Sequence, residues 1–286
     1  MSAQSFDEPT GRTPVVDAHV HVGREKYRPL EEYWHDAQEC GVDRAFLVQY
    51  MGHYDNAYIA GCVRTAPSSF VGIAMVDMAG PDVLTDIEKV ARDGAFAGIR
   101  LEARSRSAGA DPYEAWRAIA AAGLAASVRG PLEDILEPSF AEMLDEVPGL
   151  ALRFEHSAFF RYRHHSAAQL ERLMEMSRRP RTYLMWSGYY DFSDEPYPHK
   201  DAYPFLKESL AAFGAHRIMW AGDWNRNDLD PQRPEDYYRR AVWHAYDALP
   251  FVGDTDLAQI MGLSALRYVK ESTAFTGGRP EGAGPL

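Results

Sequence analysis

The stretch V-V-D-A-H-V-H-V at residues 15–22 is the most informative part of the sequence. Its valines predict a buried strand, because apolar β-branched residues are favoured on such strands. Residues two apart on a strand point to the same face, so His19 and His21 project together. Two imidazoles placed in this way suit two ligands of one metal ion. The pair alone fits equally well an exposed or internally hydrogen-bonded arrangement.

Seven further apolar runs follow, and amphipathic stretches with helical spacing separate them, which is the pattern of a parallel sheet with crossover helices. Eight such units in 286 residues predict a closed (β/α)8 TIM barrel of the α/β class. An open doubly wound sheet would usually carry a glycine-rich turn after its first strand, and none follows Val22. The predicted strands are 15–22, 44–49, 71–76, 97–102, 125–129, 150–155, 182–185 and 217–221.

The chain divides into three parts on this interpretation. Residues 1–14 form a polar N-terminal extension, residues 15–272 the barrel, and residues 273–286 a flexible tail. The tail is predicted because Gly277 to Leu286 is rich in Gly and Pro and cannot bury enough apolar surface to order itself.

Composition excludes several classes of function. A formal charge of -12 would repel nucleic acid and anionic membrane surfaces. No run approaches the roughly 18 apolar residues of a membrane span, and no signal-peptide core is present, so we expect a cytoplasmic protein. Two cysteines do not support a disulfide framework or a thiolate-rich metal site. The expected partner is a small-molecule substrate, and a homo-oligomer is compatible with the sequence.

Two later strands end in side chains that could complete a metal site. His156 ends the sixth strand in F-E-H, and Asp223 follows the eighth in W-A-G-D-W. The carboxyl ends of barrel strands meet at one rim, so both would lie beside His19 and His21. Three imidazoles and one carboxylate suit zinc or a similar divalent ion. Taken singly, His156 would be a hydrogen-bonded buried histidine and Asp223 a helix N-cap.

With these motifs in place, the sequence resembles the amidohydrolase superfamily, and within it the amidohydrolase-2 branch of lactonases and decarboxylases. The resemblance runs from Val15 to Tyr268 and rests on the His-x-His strand, G-I-R-L at 98–101, the strand-ending His156, Ser187-Gly188 and R-I-M-W-A-G-D-W at 217–224. It implies a distorted barrel in which His19, His21, His156 and Asp223 bind the metal. It also implies that Asp223 shuttles protons from an activated water, with His156 and Arg100 as further catalytic residues.

The sequence departs from the family pattern at three places. Ser264 stands where this branch usually has Asn, and Trp186 where related lactonases often have Lys. No Lys occurs on the fourth or fifth strand, where a carboxylated lysine bridges two metals in binuclear relatives. The resemblance therefore implies one divalent ion. Zinc is favoured and manganese is the alternative, and some relatives work without a tightly held metal.

Substrate contacts are predicted at the same rim. Arg100 and Arg129 could each present a guanidinium to a carboxylate or lactone carbonyl. The alternative for Arg100 is a salt bridge within the barrel, for example to Glu102. Aromatic residues near the strand ends would suit a ring-bearing substrate, although each could instead pack beneath a loop. Those predicted to contact substrate are Tyr50, Trp186, Tyr189 and Trp224.

The leading functional hypothesis is a metal-dependent hydrolase that opens a lactone or related cyclic ester with activated water. A nonoxidative decarboxylase or hydratase on the same scaffold is the first alternative. A catalytically silent barrel that binds a small molecule is the second, motivated by Trp186 and Ser264.

Overall fold

All eight predicted strands form, and they pair in chain order as one parallel eight-stranded sheet. Each observed strand begins and ends within two residues of its prediction. The sheet closes where Val20 bridges Trp224 in parallel and the His21 amide donates to the Trp224 carbonyl at 2.8 Å. The predicted (β/α)8 barrel is therefore confirmed. Its strands are β1 Val16–Val20, β2 Arg44–Val48, β3 Phe70–Ala74, β4 Phe96–Glu102, β5 Ala125–Arg129, β6 Leu152–Phe154, β7 Thr182–Trp186 and β8 Ile218–Trp220.

Helices connect the strands around the outside of the barrel. The computed structural model describes Phe6, residues 12–225 and residues 236–277. None of the helices in these ranges is long and apolar enough to cross a bilayer. They are α1 Leu30–Glu39, α2 Ala57–Thr65, α3 Val83–Asp93, α4 Glu114–Ala121, α5 Leu132–Ile135, α6 Pro138–Glu146, α7 Ala167–Glu175, α8 Tyr189–Phe192, α9 Tyr203–Phe213, α10 Tyr237–Asp247, α11 Asp254–Ala258 and α12 Ser264–Lys270.

Apolar side chains form two buried layers, which we call the inner core, inside the barrel, and the outer core, between strands and helices. On β7, Tyr183 and Met185 belong to the inner core, while Leu184 and Trp186 belong to the outer core. This alternation follows from the two-residue period of a strand. On each strand, only every second side chain can therefore face the barrel interior.

In strand β1 the alternation changes phase, so the residues that face the interior differ between its two halves. Val16 and Ala18 lie in the inner core, whereas Val20 lies in the outer core. The pairing register of β1 with β2 shifts between Asp17 and Val20, as it does when a strand contains an irregularity. Because of the shift, His19 and His21 face the barrel interior at the end of the strand.

The end of the barrel at which the strands begin is filled by residues from near both ends of the chain. Phe6 packs edge-on against Phe46 at 5.7 Å and Phe275 at 6.1 Å between ring centroids. Ala274 and Thr276 donate backbone hydrogen bonds to residues 123 and 94, so residues 273–277 of the predicted tail are bonded to the barrel. The predicted boundaries at 14 and 272 stay predictions. Residues 1–5, 7–11 and 278–286 lie outside the described residues.

Candidate metal centre

Three of the four predicted ligands come together at the C-terminal end of the barrel. One donor atom from each of His19, His156 and Asp223 lies within 4.8 Å of the other two. The His19 and His156 rings are 4.6 Å apart between centroids, and all three residues are buried or nearly so. Two imidazoles and a carboxylate at such spacing form a donor set for a divalent metal ion.

His21, the fourth predicted ligand, lies directly beside His19. Their Nε2 atoms are 3.1 Å apart, close to the roughly 3.3 Å expected of two nitrogens bound tetrahedrally to one zinc at about 2 Å. The other ring nitrogen of His21, Nδ1, lies 2.7 Å from the carbonyl oxygen of Val48 and donates to it. That bond leaves Nε2 as the atom with a free lone pair, as a metal ligand requires. His21 therefore stays a predicted ligand.

Both histidines of β1 are held in the neutral form that binds metals. Burial, together with neighbouring His156 and His21, lowers the pKa of His19 well below its ordinary value. Burial and then Arg100 lower the pKa of His21 to about 3. A neutral imidazole offers its lone pair without first losing a proton, so both rings are prepared for a cation at neutral pH.

Asp17 joins the two strands that carry these ligands. Its carboxylate accepts hydrogen bonds from the amides of His19 at 3.1 Å and Gly222 at 2.9 Å, and from the Tyr238 hydroxyl at 2.9 Å. Gly222 has no side chain because a Cβ there would lie 2.3 Å from the Tyr238 ring and 2.8 Å from Asp17. These contacts place Asp223, the next residue, opposite His19.

His156 begins a short left-handed turn. The φ angles of His156, Ser157, Ala158 and Phe159 are 47°, 53°, 54° and 58°, a conformation that costs non-glycine residues roughly 1–2 kcal/mol each. The turn is held by a hydrogen bond from the Ala158 amide to the Glu155 carbonyl at 2.9 Å. His156 Nδ1 also lies 3.0 Å from the Ser187 hydroxyl, which fixes the ring orientation. Strain of this kind is concentrated at functional sites.

Arg100 lies at the mouth as predicted, and its guanidinium is bonded to residues of the barrel. Its Nε donates to both carboxylate oxygens of Glu155 at 3.1 Å and its Nη2 to one of them at 2.8 Å, while Nη1 donates to the Gln49 carbonyl. Three of the five N–H donors of Arg100 are thus used within the protein, and its role in holding substrate stays a prediction. The alternative partner Glu102 is corrected to Glu155.

Glu155 is the main residue of the site that the sequence analysis did not single out. Burial acts to raise its pKa, but Arg100, His156 and Arg153 outweigh that effect and lower the pKa to about 2. Ser127 donates to it at 2.7 Å, and its Oε1 lies 4.0 Å from His19 Nδ1, a buried nitrogen with no hydrogen bond. Its position directly before His156, two residues after Arg153 and on the same strand face, was the available signal.

Three of the four predicted aromatic contacts pack against the outer helices. Trp186 donates its indole N–H to Ser209 on α9 at 2.9 Å, and Trp224 donates to Asp36 on α1 at 2.9 Å. Tyr189 packs 4.4 Å from the ring of His244 on α10. All three are buried in the outer core, and their substrate-binding roles stay predictions.

The remaining two predicted contacts, Tyr50 and Arg129, do lie on the rim. Tyr50 meets Tyr27 edge-on at 5.5 Å, and Tyr27 stacks on His21 at 5.0 Å between ring centroids. Arg129 ends β5 and its guanidinium lies 5.4 Å from the centre of the Phe159 ring. Both residues are half-buried, so their substrate-binding roles stay predictions.

Comparisons with known proteins agree with this geometry. The profile of the amidohydrolase family matches residues 16–269. A search of curated proteins finds no matching sequence. Similar folds occur among solved structures, of which three are instructive.

A proposed 2-pyrone-4,6-dicarboxylic acid hydrolase from Pseudomonas putida matches at TM-score 0.74 and 20% identity, over 91% of this chain and 98% of that one. A Burkholderia multivorans amidohydrolase with bound zinc matches at TM-score 0.73 and 17% identity, over 90% and 99%. A dihydroxybenzoic acid decarboxylase from Polaromonas sp. JS666 with bound manganese matches at TM-score 0.65 and 14% identity, over 91% and 97%.

At these identities the three structures establish the fold alone. The family profile, however, spans the whole barrel from β1 to α12. It supports an enzyme of hydrolase or decarboxylase type. The chain belongs to the amidohydrolase family, in its amidohydrolase-2 branch.

Proposed function

We propose that this protein is a metal-dependent hydrolase that opens a lactone or related cyclic ester of a small organic or natural-product substrate. The observation that carries the proposal is the convergence of His19, His156 and Asp223 within 4.8 Å at the barrel mouth. Acyl hydrolysis needs an activated water and a polarised carbonyl, and a metal ion bound by these residues would supply both.

The chain's own residues have separate tasks in this proposal. His19, His21, His156 and Asp223 would hold the ion, and Asp223 would also accept a proton from the attacking water and return it to the leaving oxygen. A divalent ion held there would polarise the carbonyl and lower the pKa of water towards about 7. Asp17 and Ser187 keep the ligands in place through their hydrogen bonds. Glu155 and Arg100 neutralise each other below the site.

We propose one ion per chain, with zinc favoured and manganese as the alternative. Imidazole nitrogens with a single carboxylate suit zinc. Relatives of similar fold are described with bound zinc and with bound manganese. Operation without a tightly held metal is the third arrangement, in which the same histidines would polarise the carbonyl directly.

A decarboxylase is the second candidate because the same donors could manage a proton at carbon instead of at oxygen. It is favoured by the decarboxylase among the proteins of similar fold. The two activities differ in their products. Decarboxylation releases carbon dioxide from an aromatic acid, whereas lactone hydrolysis consumes water and gives a hydroxycarboxylate and a proton.

The test is to assay the purified protein, loaded with zinc or manganese, on a panel of lactones and a panel of aromatic acids. Lactone turnover that falls at least about a hundredfold in His19→Ala and Asp223→Asn would support the hydrolase. Asp86→Asn, on the exposed face of α3, is the matched control. Unchanged turnover in both site variants would sink the mechanism, and binding without turnover would favour a silent barrel.

The kind of partner and the cellular location are proposed from the composition of the chain. A net charge of -12 supports a small-molecule substrate over nucleic acid or an anionic membrane. We propose a cytoplasmic location and leave a homo-oligomer as compatible with the sequence.

A further inference from the structure

A fully buried arginine lies inside the barrel beneath the proposed metal centre. Arg153 is the middle residue of β6, and its side chain faces the interior because Leu152 and Phe154 on either side belong to the outer core. Its Nη2 is buried without a hydrogen bond, and Arg153 makes no ion pair with any residue that the structure describes. A buried charge without a direct counter-ion is costly, so the stability of the barrel alone does not explain this arginine.

The guanidinium of Arg153 is held in one orientation. Its Nη1 donates a hydrogen bond to the carbonyl oxygen of Ala18 at 2.6 Å, which crosses the barrel interior from β6 to β1. Its Nε donates to the Ser127 hydroxyl at 2.9 Å. The guanidinium carbon lies 4.7 Å from the centre of the Phe46 ring and 5.5 Å from that of Tyr268, and these aromatic contacts fix its plane.

Ala18, the acceptor on β1, stands at the irregularity of that strand. From Asp17 to Val20 strand β1 advances by three residues while its partner β2 advances by two, so β1 contains one extra residue, which is a β-bulge. Bulges re-aim the side chains that follow them. A regular strand would instead place Val20 in the inner core and turn His19 and His21 towards the helices.

The hydrogen bond to Ala18 therefore falls where the two histidines acquire their direction. Ala18 directly precedes His19, and its carbonyl is oriented by a rigid donor on another strand. On the other side of the guanidinium, the Ser127 hydroxyl donates to Glu155, which directly precedes His156. One side chain thus links the residues that stand before two of the proposed ligands.

Charge balance does not account for Arg153. The carboxylate of Glu155 already has Arg100 as a partner, with hydrogen bonds to both of its oxygens. A second arginine adds positive charge beside a site that would bind a cation, and this charge opposes binding. The hydrogen bond that Arg153 makes, and not its charge, therefore explains its place in the barrel.

We propose that Arg153 is a positioning residue of the metal centre. Through the Ala18 carbonyl it holds the bulge of β1, and so it turns His19 and His21 into the barrel mouth. It acts through the strand and not by contact with the ion. The inference rests on the proposed function in taking these two histidines as ligands.

Zinc titration of the full-length protein after removal of metal tests the effect on the ligands. Arg153→Met has no donor, and Arg153→Gln is too short to reach the Ala18 carbonyl, so each should bind zinc at least about tenfold more weakly. Arg153→Lys keeps one donor within reach and should bind within about threefold of the wild type.

The matched control is Arg44→Met. Arg44 is also buried, and it donates to the Phe6 carbonyl at the end of the barrel where the strands begin. Its loss removes a buried arginine without touching the bulge, so zinc binding should stay unchanged.

A second readout uses the metal-free protein. The ring-nitrogen NMR signals of isotope-labelled histidine report the surroundings of each imidazole, and His19→Gln and His21→Gln assign the two signals of β1. These signals should move in Arg153→Met and Arg153→Gln and stay in place in Arg153→Lys and Arg44→Met. A role in stability alone would not produce this pattern.

Arg153→Gln keeps a polar group in the barrel and serves as the test if Arg153→Met fails to fold. Unchanged zinc affinity or unmoved His19 and His21 signals in the folded variant would overturn the proposal. Zinc binding by Arg153→Lys as weak as that of Arg153→Gln would also overturn it. A wild type that binds no zinc, but whose two histidine signals still depend on Arg153, would contradict the metal centre alone.

Discussion

Both carboxylate oxygens of Glu155 accept hydrogen bonds from the guanidinium of Arg100, at 2.8–3.1 Å, and both side chains are buried beneath the metal centre. The Ser127 hydroxyl also donates a hydrogen bond to Glu155, and it accepts one from Nε of Arg153. The pair fixes the Arg100 guanidinium in the barrel interior. It also leaves the mouth without net charge from either residue.

Removing Glu155 should damage stability far more than an exposed ion pair does. Glu155→Gln leaves the buried Arg100 charge without its partner, so we expect the free energy of unfolding to fall by about 3–5 kcal/mol. Glu88→Gln, in the exposed pair with Arg92, should cost less than about 1 kcal/mol. Urea denaturation measures both, and equal losses would contradict the role of Glu155.

Trp186 should contribute to stability and not to substrate affinity. Ser209→Ala leaves the buried indole N–H of Trp186 without an acceptor and should lower the free energy of unfolding by about 1–3 kcal/mol. KM for any substrate turned over should stay unchanged, because the pair lies between β7 and α9. A tenfold rise in KM without a loss of stability would return Trp186 to the substrate pocket.

His244 gives the folded protein a specific acid sensitivity. Burial lowers its pKa from 6.5 to about 4, although a hydrogen bond to the Pro198 carbonyl opposes the shift. The unfolded chain therefore takes up the proton first as the pH falls. The stabilisation is complete above about pH 6.5, where both states are neutral, and up to about 3 kcal/mol is lost as the pH falls towards 4.

Urea denaturation at pH 6.5 and pH 4.5 tests this dependence. His244→Gln should lose less stability than the wild type between the two values, whereas His35→Gln, exposed on α1, should behave as the wild type does. An identical pH dependence in the wild type and His244→Gln would show that the buried imidazole is not responsible.

Gly222 should tolerate no side chain. In Gly222→Ala, the new methyl group would meet Tyr238 and Asp17 and displace the hydrogen bonds that join β1 to β8. We expect a loss of about 1–3 kcal/mol in unfolding free energy, together with weaker metal binding. Gly253→Ala has open space around it and is the control. Full stability of Gly222→Ala would contradict the packing.

Much of the fold could be predicted from the sequence because buried parallel strands carry a local signal. The runs that became β2 and β5 were placed almost to the residue, since A-F-L-V at 45–48 and A-A-S-V at 125–128 are short runs of apolar and small residues. The ligands were also local, since each lies within three residues of the carboxyl end of its strand. The rule that the carboxyl ends of barrel strands meet at one rim was enough to predict that His19, His156 and Asp223 lie together.

Long-range pairing could not be predicted in the same way. Nothing in the sequence near Arg100 indicates Glu155, which lies 55 positions later. Trp186 was different, because alternation along β7 puts it on the face of Leu184 and away from Met185. The two-residue period of the strand therefore predicts that Trp186 faces the outer core. Its position just after the predicted strand 182–185 was what suggested the mouth.

Zinc titration of the protein after removal of metal shows whether His19, His156 and Asp223 hold one divalent metal ion. We expect one zinc per chain, at least about tenfold weaker binding in Asp223→Asn and His156→Ala, and unchanged binding in Asp86→Asn. Absence of stoichiometric zinc binding, or equal affinity in the wild type and both site variants, would contradict it.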